Sequence, residues 1–324
     1  MRRTSKTDLF LLLLLAGLAF LSEVPLLASL RSEESPPLRA FHYPAMGTQF
    51  TIQVYAYPEE PVEPVIAAAW QEVQYLEQSF SDYDPESELM RFCRAAPGTI
   101  HPLSPDLHAI LFQSLRIHHL TEGAFDPTLR PLQRLWKQTR RDGRLPKEES
   151  LAKARALTGI HHLRLNEGKG TILIEGFRLD LGGIAKGYTA DRLVERMTLA
   201  GFPRVLVAAS GDIRTGAPPP GKAGWTVGLG SRANPVDLPP WYGISTSGDA
   251  AQVIEIDGIR YSHILDPQSG LGLRDQRMVT VSGPRTMMTD ALATALSVDR
   301  DLWGRLPAEI RSRYRHWIHP GAGP

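Results

Sequence analysis

The sequence predicts an α+β fold, with mixed or antiparallel sheets and packed helices, and three observations lead there. Strand-like and helix-like segments follow one another without a βαβα rhythm. Asp257-Gly258 separates two strand-like runs, the mark of a tight antiparallel hairpin. Several runs, such as Thr48–Tyr55, alternate polar and apolar residues as half-buried strands do. The 324 residues are 42% apolar, enough to bury a real core in one large domain or two ordinary ones.

Taken in order, the chain opens with Arg2, Arg3 and Lys6, followed by the nearly unbroken apolar run Leu9–Leu21. A charged start and an apolar run of this length make a secretory signal. The run is short for a membrane span, and Glu23 and Pro25 interrupt its extension. Residues 1–30 are read as a signal peptide or an N-terminal membrane anchor, with Sec-type export preferred. Residues 31–40, with Ser32–Pro37, read as a linker, and residues 41–324 as the mature domain.

Val62–Ser79 has helical spacing, with Val65, Ile66, Ala69, Val73 and Leu76 on one face. Ser104-Pro105 is an N-cap followed by proline at the first helical position; Leu107, Ile110, Leu111 and Leu115 form that helix's stripe. Arg134–Ala156 is charged and helical in character. Thr171–Ile174 and Phe177–Asp180 flank Glu175-Gly176 and read as a hairpin. Ile184–Leu199 reads as a helix closed by Gly201. Strands are expected at Arg204–Ala209, Trp225–Leu229, Ile244–Ser247, Gln252–Ile256, Arg260–Ile264 and Gln276–Ser282, and a helix from about Thr289. Pro218–Gly221 and Asn234–Pro240 read as surface loops.

A formal net charge of +1, with 22% charged residues, leaves no electrostatic footprint for nucleic acid. The single cysteine, Cys93, rules out a disulfide framework within the chain. Its arginine neighbours, Arg91 and Arg94, could favour a thiolate, but a small semi-buried apolar residue is the plainer reading.

Three segments can carry chemistry. In Asp180–Tyr188 a strand ends, Gly182 and Gly183 permit close backbone approach, and a helix begins. Free N–H groups at a helix start suit a phosphate, and Lys186 can reach an anion. The segment is neither a dinucleotide fingerprint nor a Walker loop, and a plain tight turn explains it equally well. Asp290 and Thr294 stand at i and i+4 on one helix face, hard oxygen donors suited to Mg²⁺ rather than zinc. Asp290 can also be an ordinary helix N-terminal charge. A strand delivers His263 and then Asp266 before a Pro/Gly loop, a possible acid–base pair or a structural turn. The turns at Ser210-Gly211-Asp212 and Thr246–Asp249 lack a Gly-x-Ser-x-Gly elbow, which argues against a serine hydrolase.

In order along the chain, Ala45–Thr48, Phe80–Leu89, Gly123–Thr128, Asp180–Asp191, Ser210–Asp212, Thr246–Asp249, His263–Pro267 and Asp290–Thr294 resemble the FAD:protein FMN transferase family, the ApbE-like flavin transferases. The resemblance covers roughly 41–298 and departs little: Ala209-Ser210 stands where Gly-Gly is common, and Ser269 where threonine is. It implies a T-fold-related architecture. Met46, Tyr83, Ala124, Phe125, Asp126, Asp180, Lys186 and His263 match FAD-contacting positions. Asp290, Thr294 and the Gly183 carbonyl match ligands of Mg²⁺, while His263 and Asp266 match positions beside the pyrophosphate where acid–base help is expected.

The implied activity is Mg²⁺-dependent transfer of FMN from FAD to a threonine or serine hydroxyl of an acceptor flavoprotein, with release of AMP. The implied acceptor is a subunit of a membrane redox complex or an exported flavoprotein. The implied location is the periplasm or the outer face of the inner membrane, with membrane contact through the N-terminus. Two alternatives share the site: a Mg²⁺-dependent FAD pyrophosphatase and a non-catalytic exported FAD-binding protein.

Overall fold

Strand β1 (Leu38–Ala45) turns through Met46 and Gly47 into β2 (Thr48–Tyr55), both turn residues having positive φ (50° and 70°). That is the backbone of a two-residue hairpin turn, and it pairs Ala45 with Thr48. A computed structural model describes residues 35–229, 235–248, 253–274 and 277–319. The expected export segment, residues 1–30, lies outside them, as do Asp249, Gln252 and Gln276. Among the described residues no helix is long and apolar enough to cross a membrane.

Phe50, Ile52 and Val54 of β2 are fully buried. Each such side chain contributes about 1.5–3 kcal/mol. A one-residue slip would expose all three, so the register is fixed. β2 continues into a sheet with β6 (Val205–Ala209), β7 (Asp212–Thr215), β10 (Gly243–Gly248), β13 (Met278–Gly283) and β14 (Arg315–His319). Among the described residues this sheet has seven strands, ordered β1-β2-β6-β7-β10-β13-β14, and every neighbouring pair is antiparallel.

Helices α1 (Val62–Phe80) and α6 (Ala185–Leu199) share an apolar cluster with β2 and β6. Helix α7 (Thr286–Val298) packs on β10, β13 and α6. Between α1 and α6 lie α2 (Glu88–Cys93), α3 (Pro105–Leu120), α4 (Arg130–Asp142) and α5 (Glu148–Arg155). With them runs a small sheet of β3 (Ile100–Pro102), β5 (Lys169–Ile172) and β4 (Leu163–Asn166). Ser104 caps α3 as expected, its Oγ accepting the Leu107 N–H at 3.2 Å. After α7 come α8 (Leu302–Arg305), α9 (Ala308–Arg313) and β14.

Three local expectations are corrected. The hairpin lies one strand earlier, β4–β5, because Phe177 and Leu179 bury their side chains while Asp180 N–H bonds the Pro127 carbonyl at 2.8 Å instead of a neighbouring strand. The charged stretch Arg134–Ala156 is divided between α4 and α5, since Gly143 ends α4 in the left-handed region (φ 64°). Val236–Leu238 forms strand β9 against β8 (Trp225–Val227), burying Leu238 beside Trp225, rather than an open loop. The Asp257-Gly258 hairpin is present, joining β11 (Val253–Ile256) to β12 (Ile259–Ser262).

Candidate active site

The first turns of α6 and α7 cross at Gly187. A Cβ there would lie 2.5 Å from the Thr286 carbonyl oxygen and 2.9 Å from Met287 Cα, so glycine is what lets the backbones meet. The crossing brings the Gly187 N–H within 3.2 Å of Asp290 Oδ2. Asp191, one turn further along α6, caps α7 through the Thr286 and Met287 N–H groups at 2.9 and 3.1 Å. The cap explains why α7 starts three residues before the expected Thr289.

Asp290 is buried. Burial first, then the nearby Asp212, pushes its carboxyl up to about 7, against the opposing pull of Lys186 and the Gly187 N–H. Lys186 Nζ stands 3.2 Å from Asp212 Oδ2 and 3.9 Å from Asp290 Oδ2, and donates to the Gly182 carbonyl at 3.1 Å. Burial disfavours its charge, but Asp212, Asp290 and Asp180 outweigh that and hold the ammonium above the ordinary lysine range. Two carboxylates and one ammonium leave this cluster short of positive charge.

Gly183 closes the same corner. A Cβ on it would sit 3.1 Å from Thr294 Oγ1 and 3.5 Å from Phe125 Cε2, so the bare backbone lies against the threonine hydroxyl. Asp290, Thr294 and the Gly183 carbonyl are hard oxygen donors, a set that fits Mg²⁺. Among the described residues no group of three His, Cys, Asp or Glu side chains is arranged to hold a metal. The candidate set therefore rests on one carboxylate, one hydroxyl and one carbonyl.

A second group of predicted residues lies around Asp180. Its Oδ1 accepts the Gly182 N–H at 2.8 Å, and its Oδ2 accepts from Gln133 of α4. Asp180 also raises the pKa of Asp82: burial first, and then this like charge, pushes the Asp82 carboxyl up to about 6 against Arg130 and Lys137. Arg130 is ion-paired with Asp82 and donates to its carbonyl at 3.0 Å. The adjoining Tyr83 is 73% exposed, with Arg130 Cζ 4.9 Å and Lys137 Nζ 4.2 Å from its ring centre.

Ala124 and Phe125 are buried. Asp126 Oδ1 accepts the Thr128 N–H and hydroxyl at 2.8 and 2.6 Å, fixing the loop before α4. Met46 donates its N–H to Glu77 Oε1 at 2.5 Å, and its sulfur receives the Thr189 hydroxyl of α6 at 3.7 Å. These contacts link Met46, Gly183, Lys186, Asp290, Thr294 and Phe125 around the start of α6.

His263 and Asp266 lie on the connection from β12 to β13. His263 is exposed. Asp266 serves the loop that carries it, accepting the Gln268 and Ser269 N–H groups at 3.0 and 3.2 Å. Cys93 is buried, and burial pushes its thiol up to about 11, which removes the thiolate reading.

The structure places Asp212, Asp191, Asp82, Arg130 and Glu77 in contact with the candidate residues or their elements. Asp212 ends a Ser-Gly-Asp turn visible in the sequence, but its partner Lys186 is reached only through the folded sheet.

The ApbE family model matches residues 46–306. The FAD:protein FMN transferase of Vibrio cholerae serotype O1 is 31% identical over 280 residues, covering 82% of this chain and 83% of that protein. The FAD:protein FMN transferase of Klebsiella pneumoniae is 32% identical over 267 residues, covering 78% and 76%. Among solved structures, the flavinyl transferase ApbE of Pseudomonas stutzeri in its apo form superposes with a TM-score of 0.78 at 29% identity, over 90% of this chain and 94% of that one. The flavin transferase ApbE from Vibrio cholerae gives 0.75 at 27% identity, over 87% and 98%. With the family model spanning residues 46–306 and the fold shared with solved ApbE structures, the chain belongs to the ApbE family.

Proposed function

We propose that this chain transfers the FMN half of FAD to a threonine or serine hydroxyl of an acceptor flavoprotein and releases AMP. The observation that carries the reading is that the start of α6 meets α7 twice, the Gly187 N–H on Asp290 and the Gly183 backbone against the Thr294 hydroxyl. The names of the relatives support the substrate and the transferred group.

In the reaction, the acceptor oxygen bonds to the FMN-side phosphorus as the bond to the AMP phosphate oxygen breaks. The hydroxyl proton passes to a base, and exposed His263 is the candidate, with Asp266 holding its loop. Mg²⁺, held by Asp290, Thr294 and the Gly183 carbonyl, would neutralise charge on the pyrophosphate oxygens. Lys186, paired with Asp212, would offer its ammonium to the same pyrophosphate. Tyr83 offers an exposed aromatic face to a planar ring of FAD. Met46, Ala124, Phe125, Asp126 and Asp180 would contact the rest of FAD.

Residues 41–324 act as the flavin transferase domain in this reading. The signal- or anchor-like residues 1–30 support export to the periplasm or the outer face of the inner membrane, where a subunit of a membrane redox complex or an exported flavoprotein would be the acceptor.

The test mixes purified chain, FAD, Mg²⁺ and a candidate acceptor subunit, then reads covalent flavin by in-gel fluorescence. Asp290→Ala should abolish transfer. Full transfer by that variant with Mg²⁺ would sink the metal assignment. Release of free FMN and AMP with no acceptor present would make the chain a pyrophosphatase instead.

A further inference from the structure

Lys186 has three N–H groups and three oxygens before it, at unequal distances. The Gly182 carbonyl lies at 3.1 Å and Asp212 Oδ2 at 3.2 Å, while Asp290 Oδ2 lies at 3.9 Å, beyond hydrogen-bonding distance. The sheet builds this inequality. Asp212 opens β7 directly after the two-residue turn Ser210-Gly211, where Ser210 has φ 57° and Ala209 pairs with Asp212. A Cβ on Gly211 would lie 2.9 Å from the Thr246 carbonyl oxygen, and the Thr246 N–H bonds the Gly211 carbonyl at 3.0 Å, so the turn is pressed onto β10. Asp212 is 3% exposed, and a carboxylate on so constrained a strand cannot move toward the lysine. The flexible lysine comes to it. On Asp290, the Gly187 N–H and the distant ammonium both face Oδ2, leaving Oδ1 outside these two contacts.

We infer that Asp212 is a positioning residue of the metal site: it draws the Lys186 ammonium onto itself and so keeps Asp290 available to a divalent cation. The inference rests on reading Asp290 and Thr294 as Mg²⁺ ligands. Without the Asp212 charge, and with the Asp180 charge acting from farther off, the carboxylate oxygen nearest Lys186 is Asp290 Oδ2 at 3.9 Å. The ammonium then closes onto it, and an incoming cation has to displace a formed ion pair.

The experiment is titration calorimetry of Mg²⁺ into the full chain without FAD, with circular dichroism to verify folding. Wild-type binding should disappear in Asp290→Ala. Asp212→Asn should weaken Mg²⁺ binding by at least about tenfold, since it frees one unit charge to pair with the ligand. Adding Lys186→Met to Asp212→Asn should restore wild-type affinity or better. A purely structural role for Asp212 predicts no such rescue. Unchanged affinity in Asp212→Asn, or weak binding that persists in the double variant, overturns the inference. Should Asp212→Asn not fold, Lys186→Met alone decides: it must bind Mg²⁺ at least as tightly as wild type, and weaker binding overturns the inference. Wild-type chain with no Asp290-dependent Mg²⁺ binding removes the metal reading itself, and this role with it.

Discussion

Asp191 Oδ1 accepts the Thr286 N–H at 2.9 Å, so a side chain of α6 closes the first turn of α7. Its other oxygen takes the Met287 N–H at 3.1 Å, and Arg214 Nε lies 3.3 Å from Oδ1. Asp191→Ala removes the cap and leaves a largely buried guanidinium without its carboxylate. A lost cap alone costs about 0.5–2 kcal/mol. Urea unfolding should show at least that loss, and Asp191→Asn should recover part of it.

Gly187→Ala tests the helix crossing. The added methyl meets main chain at 2.5 Å, which no side-chain rotation relieves. Overpacking of this kind costs about 1–3 kcal/mol. A melting temperature equal to wild type would show that the helices separate freely.

Gly183 should behave differently. Its Cβ would meet a threonine hydroxyl at 3.1 Å and a phenylalanine ring edge at 3.5 Å, both side chains able to give way. Gly183→Val should therefore fold, lose Thr294 from its place, and lose flavin transfer by more than about tenfold. Parallel unfolding and transfer assays decide: a variant that unfolds while keeping specific activity contradicts the placement.

Asp180 and Asp82 give a pH prediction. The folded Asp82 value, about 6, lies above its ordinary 3.8, so folded protein holds this proton more tightly than unfolded chain does. The associated stability is fully present below 3.8 and is lost as pH rises through about 6. Asp180→Asn removes one cause and keeps an oxygen for the Gly182 N–H. Carboxyl NMR titration should place Asp82 lower in this variant, and the variant should gain stability over wild type as pH rises from about 4 to beyond 6. An unmoved Asp82 midpoint would leave burial as the whole cause.

Tyr83→Ala should raise the KM for FAD several-fold, the loss of one aromatic contact of roughly 1 kcal/mol. The melting temperature should stay put, because the ring is already 73% exposed. A drop in stability with unchanged KM would make Tyr83 a support for Arg130 instead.

The sequence was most legible where one residue type had one job. Alternating Phe50, Ile52 and Val54 announced β2, Ser104-Pro105 announced α3, and Asp257-Gly258 announced its hairpin. The Asp290/Thr294 pair was legible because both residues share one helix. Gly187 and Asp212 were harder, because their meaning depends on neighbours distant in sequence: a glycine needed for a crossing helix, and a carboxylate that meets its lysine across a sheet. Strand β14 lies in a tail that carries no motif; its pairing with β13 along Met278–Ser282 is a tertiary fact. The displaced hairpin near Glu175 shows the same limit, since buried alternation does not say whether a strand has a partner.

The bond from the Gly187 N–H to Asp290 spans 103 residues of chain. Closing a loop of that length carries an entropic cost that the contacts it brings must repay. During synthesis, Lys186 and Asp212 emerge long before Asp290, and until α7 docks the Asp290 carboxylate is not beside them. A chain released before α7 has been added lacks every side-chain ligand of the proposed metal set, Asp290 and Thr294. In the proposed metal reading, competence to hold the ion thus waits on the synthesis of α7.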